Sequence, residues 1–241
     1  MLSEGKSVPD ASIVSVLSGP GRLHDLCVRL EAASPGDLKS GGEGMSITCG
    51  FAESPFGRCL VDESQRGVCH LAFVEPDDGQ AELAGLRENC PRAGLQHDDV
   101  AASRLASEPF SRPEPPCTRR TLRVFVQGND FQLQVWHELL QIQPGTLVSH
   151  GQLATVLGRP DAVLAVGAAA GRNTLAFLIP CHRVIRETGV VGDYRWGRDR
   201  RRTIMARESN NRCSRVKTRA TGSEGCGLDD RSMHPPISLS D

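Results

Sequence analysis

The feature that constrains this chain most is the stretch Ile179-Pro180-Cys181-His182-Arg183-Val184. A short apolar run, Leu175-Ala176-Phe177-Leu178-Ile179, stops at a proline, and a cysteine, a histidine and an arginine follow at once. A thiol attacks only as its thiolate, and neighbouring basic or cationic groups lower its pKa. A cysteine beside a base is therefore suited to covalent chemistry. The dipeptide alone also fits a structural cysteine at a strand end, because free cysteine commonly behaves as a small core residue. The surroundings decide between the two.

Those surroundings are ordered. Upstream lie Asp130-Phe131-Gln132-Leu133-Gln134-Val135-Trp136, then Pro144-Gly145, then Asn173; downstream lie Gly192, Tyr194-Arg195-Trp196-Gly197 and Glu208. The pattern resembles the O6-alkylguanine-DNA alkyltransferases, specifically the catalytic domain of the Ada-type bacterial proteins, whose active-site signature is Pro-Cys-His-Arg-Val. The likeness is close over 45–208. It implies an α/β, ribonuclease-H-like domain at 45–106, a linker at 107–120, and a mostly α catalytic and DNA-binding domain at 121–208 with a winged-helix-like helix-turn-helix. Residues 1–44 resemble a partial AraC-like helix-turn-helix remnant. The polar, unpatterned 209–241 reads as a disordered tail, so both termini are expected to be flexible.

Composition bounds the remaining classes. Apolar residues make up 39% of the chain and the net charge is −1, which excludes a wholly disordered or membrane-embedded protein. No apolar run approaches the roughly 18 residues of a transmembrane helix. The start, Met1-Leu2-Ser3-Glu4-Gly5-Lys6, lacks a signal-peptide layout, so a cytoplasmic protein is expected. The nine cysteines show no Cys-x-x-Cys pairing and read as reduced thiols. Cys59, Cys69 and His70 make a poor metal site, because alternate strand residues face opposite sides; no metal or cofactor is expected. The near-zero net charge argues mildly against nucleic acid, but Arg195 to Arg207 is rich in Arg, and local sign matters more.

The local pattern places the elements. Leu23, Leu26, Cys27 and Leu30 fall at helical spacing and predict a helix over 22–30, the second half of a helix-turn-helix. Strands are predicted at 46–51, 56–62 and 67–74, with a hairpin turn over 63–67 and a helix over 81–89. A strand at 122–126 precedes a helix capped by Asn129 or Asp130, whose core face is Phe131, Val135, Leu139 and Ile142, joined by Trp136. Ser149 and Gln152 form a capping box, and that helix stops at Gly158. Pro160 opens a helix to about Ala170 built from small residues, which let a helix approach a narrow surface closely. Asn173 closes it, and a last helix spans 199–208, capped by Asp199.

The resemblance assigns roles. Cys181 is the nucleophile toward the alkyl carbon of O6-methylguanine, and of O4-methylthymine. His182 takes its proton through a water, Glu208 makes that histidine more basic, and Asn173 positions it, a base oriented by a third group. Val184 faces the exocyclic amine of guanine. Tyr194, Arg195 and Trp196 line the alkyl pocket, and the bulk of Trp196 favours methyl over benzyl groups. Ala162, Leu164, Ala165, Gly167, Arg172 and Arg183 are expected at the DNA. The partner is double-stranded DNA carrying O6-alkylguanine, approached through the minor groove with the target base flipped out. The protein is expected to act as a monomer, and once, because no visible group reverses the thioether. Two positions depart from the family: His150 stands where a Tyr donates toward the flipped base, and Leu164 where an Arg fills the vacated stack. Asp193 adds a carboxylate near the phosphates. These departures keep open a slow or non-catalytic binder of alkylated DNA; residues 7–31 keep open an Ada-like transcription regulator.

Overall fold

The computed structural model describes residues 22–23, 26–34, 41–75, 77–110 and 120–221. Three strands lie where expected, β3 (Ser46–Ser54), β4 (Gly57–Ser64) and β5 (Gly67–Phe73), and form an antiparallel meander. The β4–β5 turn closes because Gly67 takes a φ of 131°, and a Cβ there would sit 2.4 Å from the Arg123 carbonyl oxygen. Helix α1 (Gly79–Asn89) then crosses over, and β6 (Gly94–His97) returns parallel to β3. Helix α2 (Asp99–Phe110) buries Ala102, Leu105 and Ala106.

Strand β7 (Arg120–Val126) lies parallel to β5 on one side and to β2 (Leu26–Ala32) on the other; β1 (Arg22–Leu23) pairs antiparallel with β2. The whole is a mixed seven-stranded sheet of order β1-β2-β7-β5-β4-β3-β6. The helix expected over 22–30 is thus corrected to strand. Leu26, Val28 and Leu30 alternate with period two as well as fitting part of a helical set, and so short a run satisfies both periods. The open edge of β7 decides, pairing from Leu26↔Arg120 through Ala32↔Val126. The first half of the expected helix-turn-helix lies outside the described residues. Of the expected linker, 107–110 belongs to α2 and Arg120 to β7, while 111–119 lies outside the described residues.

The second half of the chain is mostly helical: α3 (Asp130–Gln141), α4 (His150–Val156), a 3-10 turn (Pro160–Ala162), α5 (Val163–Gly171) and α6 (Arg198–Thr221). Both capping boxes form: Asn129 with Gln132 and Ser149 with Gln152 exchange side-chain and backbone bonds in each direction. Trp136 is core, as expected, and its Nε1 donates to the Ala169 carbonyl at 2.9 Å, locking α3 to α5. Helix α6 departs from expectation at both ends. It begins at Arg198, so Asp199 lies in its first turn instead of capping it, and it runs on to Thr221, so 209–221 is helical and only 222–241 falls outside the described residues. No Gly or Pro interrupts 198–221. Once the packed first half is fixed, each further residue adds a hydrogen bond at little nucleation cost, whatever its polarity.

One buried apolar cluster runs from Ala52 on β3 to Ile204 on α6, through α2, α3, α5 and the run 175–179. A smaller one, Ile47, Cys49, Leu86 and Cys90, sits under α1. Two details position the signature. Strand β7 pairs with β5 only at Val68↔Val124, and beyond that point the chain at 174–176 takes its place. Leu71 N donates to the Thr174 carbonyl at 3.0 Å, and Ala176 N to the Leu71 carbonyl at 2.7 Å. Past the signature, β9 (Val184–Ile185) pairs with β8 (Val148–Ser149), which ties it to the start of α4. Among the described residues no helix is long and apolar enough to cross a membrane.

Candidate active site

Asn173, 1% exposed, organises the turn that presents the thiol. Its Oδ1 accepts from Leu175 N at 2.9 Å. Its Nδ2 lies 3.1 and 2.9 Å from the Leu175 and Ile179 carbonyl oxygens and 3.4 Å from Cys181 Sγ. One amide therefore fixes both ends of the apolar run and touches the sulfur. Asn173 makes no hydrogen bond to His182 among the described residues; it holds the turn and the thiol.

Cys181 opens a 3-10 turn, Cys181–Arg183. Burial pushes its thiol pKa up; the Asn173 amide and the Arg201 and Arg195 charges oppose this without overcoming it. Neighbours do lower it as expected, but burial outweighs them, which favours the protonated thiol. Adjacent cations in sequence are not adjacent charges in space here, because Arg183 points elsewhere.

His182 is fully buried, its Nε2 3.1 Å from Glu208 Oε1. Burial lowers its pKa and Glu208 pulls the other way, leaving the ring a neutral base. With Nε2–H facing the carboxylate, the Nδ1 lone pair is the free one, and Nδ1 has no hydrogen-bond partner among the described residues. The Phe177 ring lies parallel to the imidazole, 8° between planes and 5.8 Å between centroids. Phe177 takes a φ of 65°, the only non-glycine in the left-handed region among the described residues. Strain of that kind persists where the surroundings over-determine it.

Glu208, 2% exposed, receives four donors: His182 Nε2 and Arg183 Nη2 (2.7 Å) on Oε1, Arg183 Nε (3.0 Å) and Gly145 N (3.1 Å) on Oε2. Burial alone would raise its pKa, but His182 and Arg183 outweigh that and hold it well below the usual carboxylate range. Arg183 is corrected from a DNA contact to an interior clamp: it is 1% exposed, forks onto Glu208, and gives Nη1 to the Ile142 carbonyl.

Arg201 went unforeseen. It is 4% exposed, hydrogen-bonds the carbonyls of His182 (3.2 Å), Gly192 (3.2 Å), Asp193 (3.1 Å) and Val184, and lies over the Tyr194 ring, 5.8 Å from its centroid. It pins the segment after the signature to α6. The spacing Arg201, Ile204, Glu208 on one helical face was the available signal.

Asn173 and Cys181 share a cleft of ≈ 80 Å³ with Tyr194, Arg195, Trp196 and Arg201, backed by Gly167 and Gly171 of α5. Tyr194 and Trp196 meet edge to face, 5.1 Å between centroids. The Tyr194 hydroxyl and the Trp196 Nε1 are both buried without a hydrogen-bond partner among the described residues. Burial raises the Tyr194 pKa well above its ordinary value, so it is a donor. Val184 is corrected: it is 1% exposed in β9, is not among the residues lining the cleft, and its carbonyl accepts from Arg201. His150, the first residue of α4, packs on α5, its Cδ2 3.4 Å from where a Gly167 Cβ would stand, and burial lowers its pKa. Leu164 is 90% exposed, Ala165 and Arg172 are exposed, and Ala162 and Gly167 are half-buried, so α5 presents a small-residue face beside the cleft. The exposed Asp193 pairs with Arg198 at 2.6 Å, which offsets its charge.

The family description "6-O-methylguanine DNA methyltransferase, DNA binding domain" matches residues 130–210. The chain is 38% identical over 174 residues to the bifunctional transcriptional activator/DNA repair enzyme Ada of Escherichia coli, covering 72% of this chain and 49% of that protein. It thus spans about half the length of the curated relatives it matches first. It is 40% identical over 156 residues to a methylated-DNA–protein-cysteine methyltransferase of Mycolicibacterium paratuberculosis (65% of this chain, 88% of that protein). One of Methanosarcina barkeri matches at 32% over 166 residues (66% and 95%). Among solved structures, the O6-methylguanine methyltransferase of Mycobacterium tuberculosis superposes with a TM-score of 0.54 at 26% identity, covering 68% of this chain and 93% of that one. The same enzyme in complex with DNA gives 0.52. Covering nearly all of two such relatives at this identity, the chain belongs to the methylated-DNA–protein-cysteine methyltransferase family.

Proposed function

We propose that this protein repairs DNA by moving the alkyl group of O6-methylguanine irreversibly onto Cys181. The observation that carries this is the buried His182–Glu208–Arg183 network beside Cys181, whose sulfur the Asn173 amide touches, next to a cleft with two unpaired donors. The neutral His182 takes the thiol proton as the sulfur attacks. The S–C bond forms, the C–O6 bond breaks with its electron pair going to guanine, and the proton is returned to the leaving base. Glu208 stabilises the transient imidazolium. Tyr194, as a buried donor, bonds the base in the cleft. Since the resting thiol is protonated, ionisation accompanies transfer, which guards the sulfur against other electrophiles.

The substrate is duplex DNA with the base rotated out of the stack. Helices α4 and α5 act as a helix-turn-helix laid along the minor groove, with β8–β9 as its wing, and the β3–β6 unit is ribonuclease-H-like. Residues 121–208 are read as the catalytic and DNA-binding domain and 45–106 as a domain without chemistry of its own, and the protein acts as a cytoplasmic monomer. O4-methylthymine is a second substrate. The exposed Leu164 and the packed His150 favour a slow enzyme: Leu164 has no donor, and the His150 ring is packed against α5 instead of reaching out as a tyrosine hydroxyl would.

Incubating the protein with a duplex carrying radiolabelled O6-methylguanine tests the proposal. Label should move to wild-type protein with a one-to-one limit and not to Cys181→Ala. Retained DNA binding without label transfer would establish the non-catalytic reading instead. Leu164→Arg with His150→Tyr should raise the transfer rate.

A further inference from the structure

Phe177 is held in place against the preference of its own backbone. Its φ of 65° lies in the left-handed region, where a β-carbon is strained and a glycine would sit freely. The residue is 2% exposed, and its ring packs on those of Phe110 and Phe56, 4.7 and 5.6 Å between centroids. The same ring lies parallel to the His182 imidazole, 5.8 Å away. A strained residue therefore stands between an aromatic cluster and the base of the site, and strain of this kind gathers at functional positions.

The charge that passes beside this ring shows what it can do. As the sulfur bonds the alkyl carbon and the C–O6 electron pair leaves with guanine, the thiol proton moves onto His182 before it reaches the base. For that interval a fully buried imidazole is an imidazolium. An aromatic face carries partial negative charge and attracts a cation within about 6 Å of its centroid, most strongly where both are desolvated. Resting on the alkyltransferase reading, we infer that Phe177 is a positioning residue that acts through His182, its π face stabilising the imidazolium formed during transfer. The charges that face the imidazole are Glu208 and Arg201 from α6 and Arg183 from its own turn; Glu208 favours the protonated ring and the two arginines oppose it. The β3–β4 turn and α2 join this packing through Phe56 and Phe110, which carry no charge. The Phe177 face thus works with Glu208 against two cations, and it does so without burying a further ion, whose desolvation would be costly.

The test varies the face of the ring and keeps its shape. Full-length protein is made with mono-, di- or trifluorinated phenylalanine at position 177; the ring stays nearly the same size while each fluorine drains negative charge from its face. Phe177→Leu removes the face and keeps an apolar side chain. Single-turnover transfer from a duplex carrying O6-methylguanine is followed across pH, and the nitrogen chemical shifts of the His182 ring are titrated in the same proteins. Rates should fall in the order of fluorination, and by about tenfold in Phe177→Leu, the scale of a desolvated cation–π contact. The acid limb of the rate profile and the His182 titration should move to lower pH in the same order, because a less stable imidazolium gives up its proton more readily. A side chain that only fills space has no reason to follow fluorination, so equal rates and an unmoved His182 titration across the series would overturn the role of Phe177 alone. A wild type that transfers no methyl group would overturn the alkyltransferase reading, and the His182 titration would still decide for or against the ring.

Discussion

At the scale of single residues, the site is an interior charge network with a thiol at its mouth. Glu208 is its hub, and its four donors make it the residue whose loss is felt most. Glu208→Gln leaves Arg183 buried without a counter-charge, which costs about 3–5 kcal/mol, so the melting temperature should drop sharply. The double variant Glu208→Gln with Arg183→Met should regain much of that loss, since removing both partners of a buried pair is far cheaper than removing one. The network also sets a pH dependence. His182 has a folded pKa below its ordinary 6.5, so the unfolded chain binds more protons in that window. Its stabilisation is complete above 6.5 and fades as pH falls toward the folded value. Glu208, held below its ordinary 4.5, adds stability that is complete above 4.5 and fades below it. Melting temperature should therefore fall steadily on acidification from neutral pH, and His182→Asn should flatten the upper part of that slope. A melting temperature that rises toward pH 5 would contradict the buried neutral imidazole.

At the scale of elements, the local rules were the legible part. The two capping boxes stand as read from Asn129, Gln132, Ser149 and Gln152, because their physics is contained within four residues. The Pro-Cys-His-Arg-Val turn was legible as a reactive centre, and Glu208 and Asn173 as its partners. What the sequence hid was non-local. Arg183 sits in a run of three chemically suggestive residues, and nothing nearby says it turns inward to Glu208. Strand β2 depends on the edge of β7, a partner nearly a hundred residues away, so a helical reading of Leu23–Leu30 was equally consistent with its own residues. Arg201 shares a helical face with Ile204 and Glu208, but its hydrogen bonds go only to carbonyls, whose positions no side-chain pattern reports. Two predictions belong here. Ser149→Ala removes the α4 cap and should cost about 1 kcal/mol in denaturant unfolding. Arg201→Met should release the segment 186–193, seen as faster amide exchange there, and lower the transfer rate more than Ser149→Ala does.

At the scale of the whole molecule, the sheet and the helical half share one main apolar core, and α6 closes it. Arg200 on that helix binds the Phe56 carbonyl at 2.8 Å, the Trp196 carbonyl at 2.5 Å and Glu75 at 3.0 Å, joining the cleft's indole to the β3–β4 turn. The sheet anchors the chain at 174–176, Asn173 sets the turn, and α6 supplies Arg201 and Glu208, so the sulfur is held by elements from across the chain. The most direct test of this account is peptide mass analysis after a single exposure to duplex DNA carrying O6-methylguanine. The account predicts one added methyl, on the peptide containing Cys181 and on no other cysteine, with guanine restored in the duplex. A methyl on another cysteine, or an unmodified Cys181 in a protein that still binds that duplex, would contradict it.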